Sequence, residues 1–380
     1  MARAPTTFLR LVSVTRVALV SPYALSVFGG VQEQVLAMAR ELERRDVRVL
    51  VIAPDETDHN RYDGAGDVRR FGRLVSIPAN GSRAPLTLSL GASRAARDVV
   101  RRFEPDVVHF HEPFAPLVGW SSLRAHEWPS VATFHRSGSG PAYTLTRPLL
   151  RSLAKGLNVA TAVSEAAAST IRDATGIVAD VLFNGFETER FVEFARERTS
   201  EVVVLFVGRL EERKGTSLVI EAVRAHNARA LTPWRLVIIG DGPERSRLQA
   251  QAAHDEMVVF VGRVDDDQKR RWLRRANALV APSTRGESFG LILLEAMASE
   301  TVVVASDIAG YRDAAGGHAQ LFEPSNPVQL ERAIATALEG ETPERIAEAR
   351  AHAQHWSMQR LMSEYELRYE SARRSYVKTR

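Results

Sequence analysis

The sequence predicts an α/β protein of two domains, each a parallel sheet covered by helices, and three observations carry that expectation. Short apolar strands alternate with amphipathic helices along the chain. The alternation stops near residues 187–200 and then restarts. A chain of 380 residues is also more than one hydrophobic core usually fills. Strand–helix alternation favours parallel strands joined by helical crossovers.

The elements follow in order. Residues 16–21 (RVALVS) read as the first strand. Val31, Val35, Met38, Ala39 and Leu42 then recur at helical spacing, and residues 47–53 supply the next strand. The pattern continues at 106–111 (DVVHFH), 131–135 (VATFH), 159–164 (VATAVS) and 181–183, before the turn NGF at 184–186. The second alternation comprises 202–209 (VVVLFVGR), 235–240 (RLVIIG), 258–262 (VVFVG), 278–282 and 301–306. A helical tail follows from about residue 356. The predicted division is a disordered leader at 1–15, a Rossmann-like domain at 16–186, a second at 187–357, and a terminal helix at 358–380. Two such domains are expected to face a cleft, with ligands beyond the carboxyl ends of the strands.

Composition narrows the class. Hydrophobic content of 45% and charged content of 25% are those of an ordinary globular protein. The chain has no cysteine, which excludes disulfides and thiolate chemistry and fits a reducing, cytoplasmic setting. The apolar runs are strand-sized, well short of the roughly 20 residues of a membrane span. Arg10 interrupts the apolar part of residues 1–15 and no Ala-x-Ala site follows, so the reading there is a leader rather than a signal peptide. A formal charge of +4 permits anionic partners without requiring nucleic acid, and no RNA-binding pattern of interleaved aromatics is present.

The most informative segment is ESFGLILLE, bracketed by Glu287 and Glu295. It follows a strand and opens a helix, through a loop holding Gly286 and Gly290. Unpaired backbone N–H groups and the helix dipole favour phosphate there. Glu295 stands about five residues into that helix, ~7 Å of rise from the loop. One acid can thus meet the sugar end of a ligand and the other its ribose, with phosphates between. Upstream, VGRLEERKG sets Arg209 and Lys214 in a strand–helix loop, either as solubilising cations or as groups that hold a diphosphate and its developing charge. In IIGDGPE, Gly240 and Gly242 either make the turn that a strand end needs or let backbone approach a nucleotide. Gly29 and Gly30 precede a helix and carry the same two readings. His109 and His111 share a strand face, which invites a metal reading, but no third ligand presents itself and no metal is expected.

Two carboxylates with seven residues between them, in these surroundings, resemble the signature of the family 4 retaining glycosyltransferases. The likeness extends over nearly all of residues 200–325. It implies the GT-B architecture, two Rossmann-like domains with the terminal helix crossing back to the first. It also implies a nucleotide-sugar donor held by Gly29, Gly30, Gly208, Arg209, Lys214, Gly240, Gly242, Val264, Glu287, Ser288, Phe289, Gly290, Leu291 and Glu295. SPYALSVFGGVQEQV, PANGS, HFHEPFAP and VATFHRS resemble the acceptor-side motifs of bacterial phosphatidylinositol mannosyltransferases. That resemblance implies a GDP-mannose donor and an inositol phospholipid acceptor met by Tyr23, Gln32, Asn80 and Ser82. His135 would then lie beside the transferred sugar, and same-face substitution is favoured over double displacement because no carboxylate can be assigned as a nucleophile on the opposite sugar face. The sequence departs from the family at Ala79, Pro85 and Arg136, which bears on the acceptor, and Arg83 can compensate by contacting a phosphate. No tightly bound cofactor is implied, and a divalent ion has no evident protein site.

In residues 92–103, Ala92, Ala96, Val99 and Phe103 cluster on one side of a helical wheel, opposite Arg94, Arg97 and Arg101, with Arg102 adjacent. This helix either rests on anionic lipid, making the protein peripheral on the inner face of the cell membrane, or packs as an ordinary surface helix. Two functional alternatives stay open: a family 4 transferase with a soluble or polysaccharide acceptor, and a non-catalytic lipid- or RNA-binding protein.

Overall fold

The computed structural model describes residues 14–26, 29–54, 65–79, 82–115, 119–136, 146–196, 200–253, 255–285, 287 and 289–376. Residues 1–13 of the expected leader at 1–15, Asn80, Gly286 and Ser288, and the side chains of Ser82 and Arg83, lie outside the described residues. The chain forms two compact units: one runs up to Phe183 and resumes at Leu361, the other is Asn184–Arg360.

The first unit contains β1 (Arg16–Val20), β2 (Arg48–Ala53), β3 (Asp67–Arg70), β4 (Val75–Ala79), β5 (Ser82–Leu86), β6 (Val107–His111), β7 (Ser130–Phe134), β8 (Val159–Ala162) and β9 (Asp180–Val181). Its main sheet has the order β3-β2-β1-β6-β7-β8-β9 and every pairing is parallel. Strands β4 and β5 form a separate antiparallel hairpin. Both faces of the central strands are covered: β6 and β7 are buried at all five positions, the two histidines of β6 included. Edge strand β3, sequence DVRR, alternates exposed and half-buried positions and carries no apolar run to announce it.

The second unit contains β10 (Val202–Val207), β11 (Trp234–Ile239), β12 (Val258–Gly262), β13 (Ala278–Ala281), β14 (Val302–Ser306) and β15 (Gln320–Phe322). The order β12-β11-β10-β13-β14-β15 is that of a Rossmann sheet, again all parallel. Connections leave in opposite directions from β10 and β13, so the ends of those two strands are where such a sheet opens a ligand crevice. In the first unit the equivalent point lies between β1 and β6.

Helix Gly30–Arg44 buries Val35, Met38, Ala39 and Leu42. The terminal helix, Met358–Ser375, seats Tyr365 and Tyr369 with almost no exposure in the first unit. No helix among the described residues is long and apolar enough to cross a membrane.

Candidate active site

In the second unit, the loop after β10 is fixed by backbone. Gly208 N–H donates to the Ile239 carbonyl (3.0 Å) and Leu210 N–H to that of Asp241 (3.0 Å). The contact is so close that a Cβ on Gly240, where φ is +133°, would lie 1.9 Å from the Gly208 oxygen. One on Gly242 would lie 2.4 Å from the Leu210 oxygen. These two glycines are therefore required by the protein's own packing, whatever a ligand adds.

The chain then makes a short 3-10 turn, Glu212–Lys214, closed by Gly215 at φ +68°. A Cβ there would lie 2.3 Å from the Pro282 carbonyl, and Thr284 N–H donates to the Arg213 carbonyl at 2.8 Å. The turn is thereby pressed against the end of β13, and two cations meet a carboxylate. Glu287 Oε1 accepts from Lys214 Nζ (2.6 Å), from the Arg213 guanidinium (2.9 Å) and from Ser283 Oγ (3.2 Å). Tyr311 O–H donates to Ser283 Oγ at 2.9 Å, which holds that hydroxyl toward Glu287. Burial, and then the charge of Glu287, push the Tyr311 hydroxyl well above its ordinary range, so it remains a donor. Glu211 pairs with both Arg209 (3.1 Å) and Arg213 (3.1 Å), and Arg209 stays half exposed.

Other residues that the resemblance sets on the donor side also belong to the second unit. Gly290, at φ +91°, precedes helix Leu291–Ala298, whose first N–H groups have no side-chain cap. Phe289 is buried with its ring 4.7 Å from that of Trp356, so it offers a ligand main chain only. Glu295 accepts from Lys269 Nζ at 3.0 Å. Val264 is half buried before helix Asp266–Arg275.

In the first unit, His109, His111 and His135 form a row. The rings of His109 and His111 stack at 4.5 Å, and His111 Nδ1 lies 3.0 Å from His135 Nε2. His109 bonds Tyr369 O–H (3.0 Å) and Thr133 Oγ1 (2.7 Å), both fully inside. Burial pushes His109 down to about 3, so it is neutral at physiological pH. Glu112 is buried at φ +43° and accepts from the backbone N–H of His135 and, at 2.7 Å, of Arg136. Gln32 is buried and donates to the Ala24 carbonyl at 3.3 Å, and Tyr23 is half buried beside Ser21. Among the described residues no group of three metal-ligating side chains occurs.

Helix Leu90–Phe103 buries Ala96 and Val100, with Val99 and Phe103 packed against the same core. Its apolar stripe is thus committed inward. Arg97 and Arg101 both pair with Glu127, whereas Arg94 and Arg102 are exposed and carry no ion pair among the described residues.

Sequence reasoning passed over Arg213, Ser283, Tyr311, Glu211, Lys269 and Glu112. Arg213 and Glu211 stood in VGRLEERKG itself and Glu112 in HFHEPFAP, as charges that a loop ordinarily solvates. Tyr311 and Lys269 gave no local signal.

Residues 28–190 match the Glycosyltransferase Family 4 model, and residues 187–354 match Glycosyl transferases group 1. A phosphatidyl-myo-inositol mannosyltransferase of Mycobacterium tuberculosis is 36% identical over 336 residues, 84% of this chain and 85% of the relative. One from Propionibacterium freudenreichii is 30% identical over 96% of this chain and 97% of its own. In fold, a glycosyltransferase from Rickettsia africae superposes with a TM-score of 0.74 at 16% identity, covering 94% of this chain and 98% of its own. The chain therefore belongs to the family 4 glycosyltransferases of GT-B fold, alongside the phosphatidyl-myo-inositol mannosyltransferases, and is a glycosyltransferase.

Proposed function

We propose that the enzyme is a retaining mannosyltransferase that moves mannose from GDP-mannose to an inositol phospholipid at the cytoplasmic membrane face. The observation that carries the donor half of this reading is the convergence of Lys214, Arg213 and Ser283 on one oxygen of Glu287, beside the ends of β10 and β13. Lys214, with Arg209 and Arg213, supplies fixed positive charge for a diphosphate and for the charge it gains as the glycosidic bond breaks. Oε1 takes all three bonds that the described residues give Glu287, which leaves Oε2 for a hydroxyl of the sugar. The uncapped N–H groups after Gly290 serve the phosphates, and Glu295, held by Lys269, serves the ribose.

In this mechanism the bond from the anomeric carbon to the diphosphate breaks while an inositol hydroxyl bonds to the same face of that carbon. The hydroxyl proton passes to the departing phosphate oxygen. His135 lies beside the sugar, and Tyr23, Gln32, Asn80, Ser82, Arg83 and Arg136 attend the headgroup. The activity for which the mycobacterial relative is named supports this acceptor. The exposed Arg94 and Arg102 support contact with anionic lipid, each adding about 1 kcal/mol near such a surface. A second reading, a soluble acceptor, is favoured by the pairing of Arg97 and Arg101 with Glu127, which withdraws two of the four arginines.

Purified enzyme supplied with labelled nucleotide sugars and vesicles of phosphatidylinositol tests the proposal. Label in lipid from GDP-mannose supports it, and transfer only to a water-soluble sugar replaces the acceptor. Lys214→Ala is expected to lower turnover by on the order of 100-fold, the effect of one group aimed at developing charge. Near-normal turnover would remove Lys214 from its role.

A further inference from the structure

The row of histidines in the first unit contains an asymmetry. His111 Nδ1 is 3.0 Å from His135 Nε2, with the ring planes 24° apart and the centroids 5.3 Å apart, far enough for the two nitrogens to meet edge to edge. Both rings are held near neutral at physiological pH, chiefly because burial opposes their charging. A single proton therefore lies between them, and it belongs to one ring or the other.

The far side of His111 decides which. Its Nε2 is buried and has no hydrogen-bond partner among the described residues. If His135 were the donor, His111 would carry its proton on Nε2 as an orphaned N–H inside the protein. If His111 is the donor, Nε2 keeps only a bare lone pair. Buried N–H groups without partners are rarer than under-satisfied acceptors. The second arrangement is favoured, and it leaves His135 with its own proton on Nδ1.

We infer that His111 is a positioning residue: by donating Nδ1–H to His135 Nε2 it fixes the tautomer in which His135 meets the substrate as a hydrogen-bond donor through Nδ1. The consequence for substrate rests on the proposed function, which sets His135 beside the sugar. A donor at that point suits a sugar hydroxyl or ring oxygen in its acceptor role. The supporting structure is independent of any ligand. His109 stacks on the back of His111 at 4.5 Å and is itself held by Tyr369 and Thr133. Glu112, held at φ +43°, grips the backbone N–H groups of His135 and Arg136, so the strand end cannot rotate the ring away. Register accounts for the encounter: β6 and β7 pair His111 with Thr133, and His135 follows two residues on, on the same face.

The test is nitrogen-15 spectroscopy of ligand-free enzyme labelled at histidine, with His135 assigned from the spectrum of His135→Gln. The expected result is a protonated, pyrrole-type Nδ1 and a bare Nε2 on His135. The reverse pattern overturns the inference. In His111→Leu the His135 signals are expected to lose this single-tautomer pattern, and kcat to fall roughly tenfold, about the worth of one hydrogen bond. His111→Asn, whose amide can donate from near the Nδ1 position, is expected to restore most of that loss. A His111→Leu enzyme with unchanged tautomer and unchanged kcat also overturns the inference. Failure of the underlying reading looks different: His135→Ala would transfer sugar at the normal rate, while the spectrum of the unaltered enzyme would still show or deny the tautomer.

Discussion

Gly30→Ala separates what a glycine does for the fold from what it does for a ligand. Gly30 is the first residue of helix Gly30–Arg44, follows Gly29 in an extended conformation, and its helix has no side-chain cap. Among the described residues a Cβ built on Gly30 meets no atom within 4 Å, so none of them gives the bare position a steric use. Alanine in a helix interior is better than glycine by roughly 0.5–1 kcal/mol, and the first position captures part of that. At about 2–4 °C per kcal/mol for a unit of this size, thermal unfolding should be unchanged or rise by up to about 4 °C. If the bare N–H groups receive the donor's phosphates, the added methyl stands in their path. Donor affinity should then fall at least tenfold, about 1.4 kcal/mol. Scanning fluorimetry gives the first quantity, and titration calorimetry with GDP-mannose the second. Gly91→Ala is the control: it too lies in the first turn of a helix, and its Cβ would meet only Ser89 Oγ at 3.6 Å. It should show the thermal effect without the affinity loss. Gly30→Ala with unaltered donor affinity would refute the phosphate role and leave a glycine that only makes a turn.

Other expectations follow from the same geometry. Glu287→Gln keeps the shape of the side chain but removes the charge shared by Lys214 and Arg213; kcat should fall on the order of 100-fold while unfolding shifts by only a few degrees, and steady-state kinetics showing normal turnover would exclude Glu287 from the chemistry. Gly240→Ala must force a Cβ to within 1.9 Å of the Gly208 carbonyl at φ +133°, so it should cost at least about 3 kcal/mol in urea unfolding with or without ligand. Among the described residues the Cβ of Gly208→Ala meets only the Phe206 ring, at 3.3 Å, so the variant should fold but bind donor weakly; normal binding would remove Gly208 from the site. His109 holds its pKa at about 3 against an ordinary 6.5, so the unfolded chain takes up the proton first and stability falls as pH drops below 6.5. The slope for His109 alone is about 1.4 kcal/mol per pH unit, or ~2 kcal/mol between pH 6.5 and 5. Urea unfolding of His109→Gln across that range should lose this share of the slope; an identical slope would contradict it.

What the sequence disclosed, and what it concealed, divides along a physical line. Features whose cause is local were legible. Central strands buried on both faces must be largely apolar, so β1, β2, β6, β7, β10, β11 and β13 stood out, as did the turn before Leu291. The β3 edge and the three-residue β15 lack such runs and passed unnoticed, as did the β4–β5 hairpin. Glu287 was visible through its spacing from Glu295, but its partners were not, because charge in a loop says nothing about whom it meets. The same limit governs the histidines. Their shared strand face was readable from period two, yet Tyr365 and Tyr369 reach His109 and Thr133 from a helix more than 200 residues away. The missing quantity is register. Once β6 and β7 are known to pair His111 with Thr133, the contact with His135 follows from the pleat, and with it the tautomer argument. Shift that pairing by one residue and Thr133 and His135 turn to the opposite face, leaving His111 without His135 and His109 without Thr133. The histidine row is thus a consequence of sheet alignment, and a substitution that disturbs the β6–β7 pairing should disturb His135 even where it touches none of the three rings.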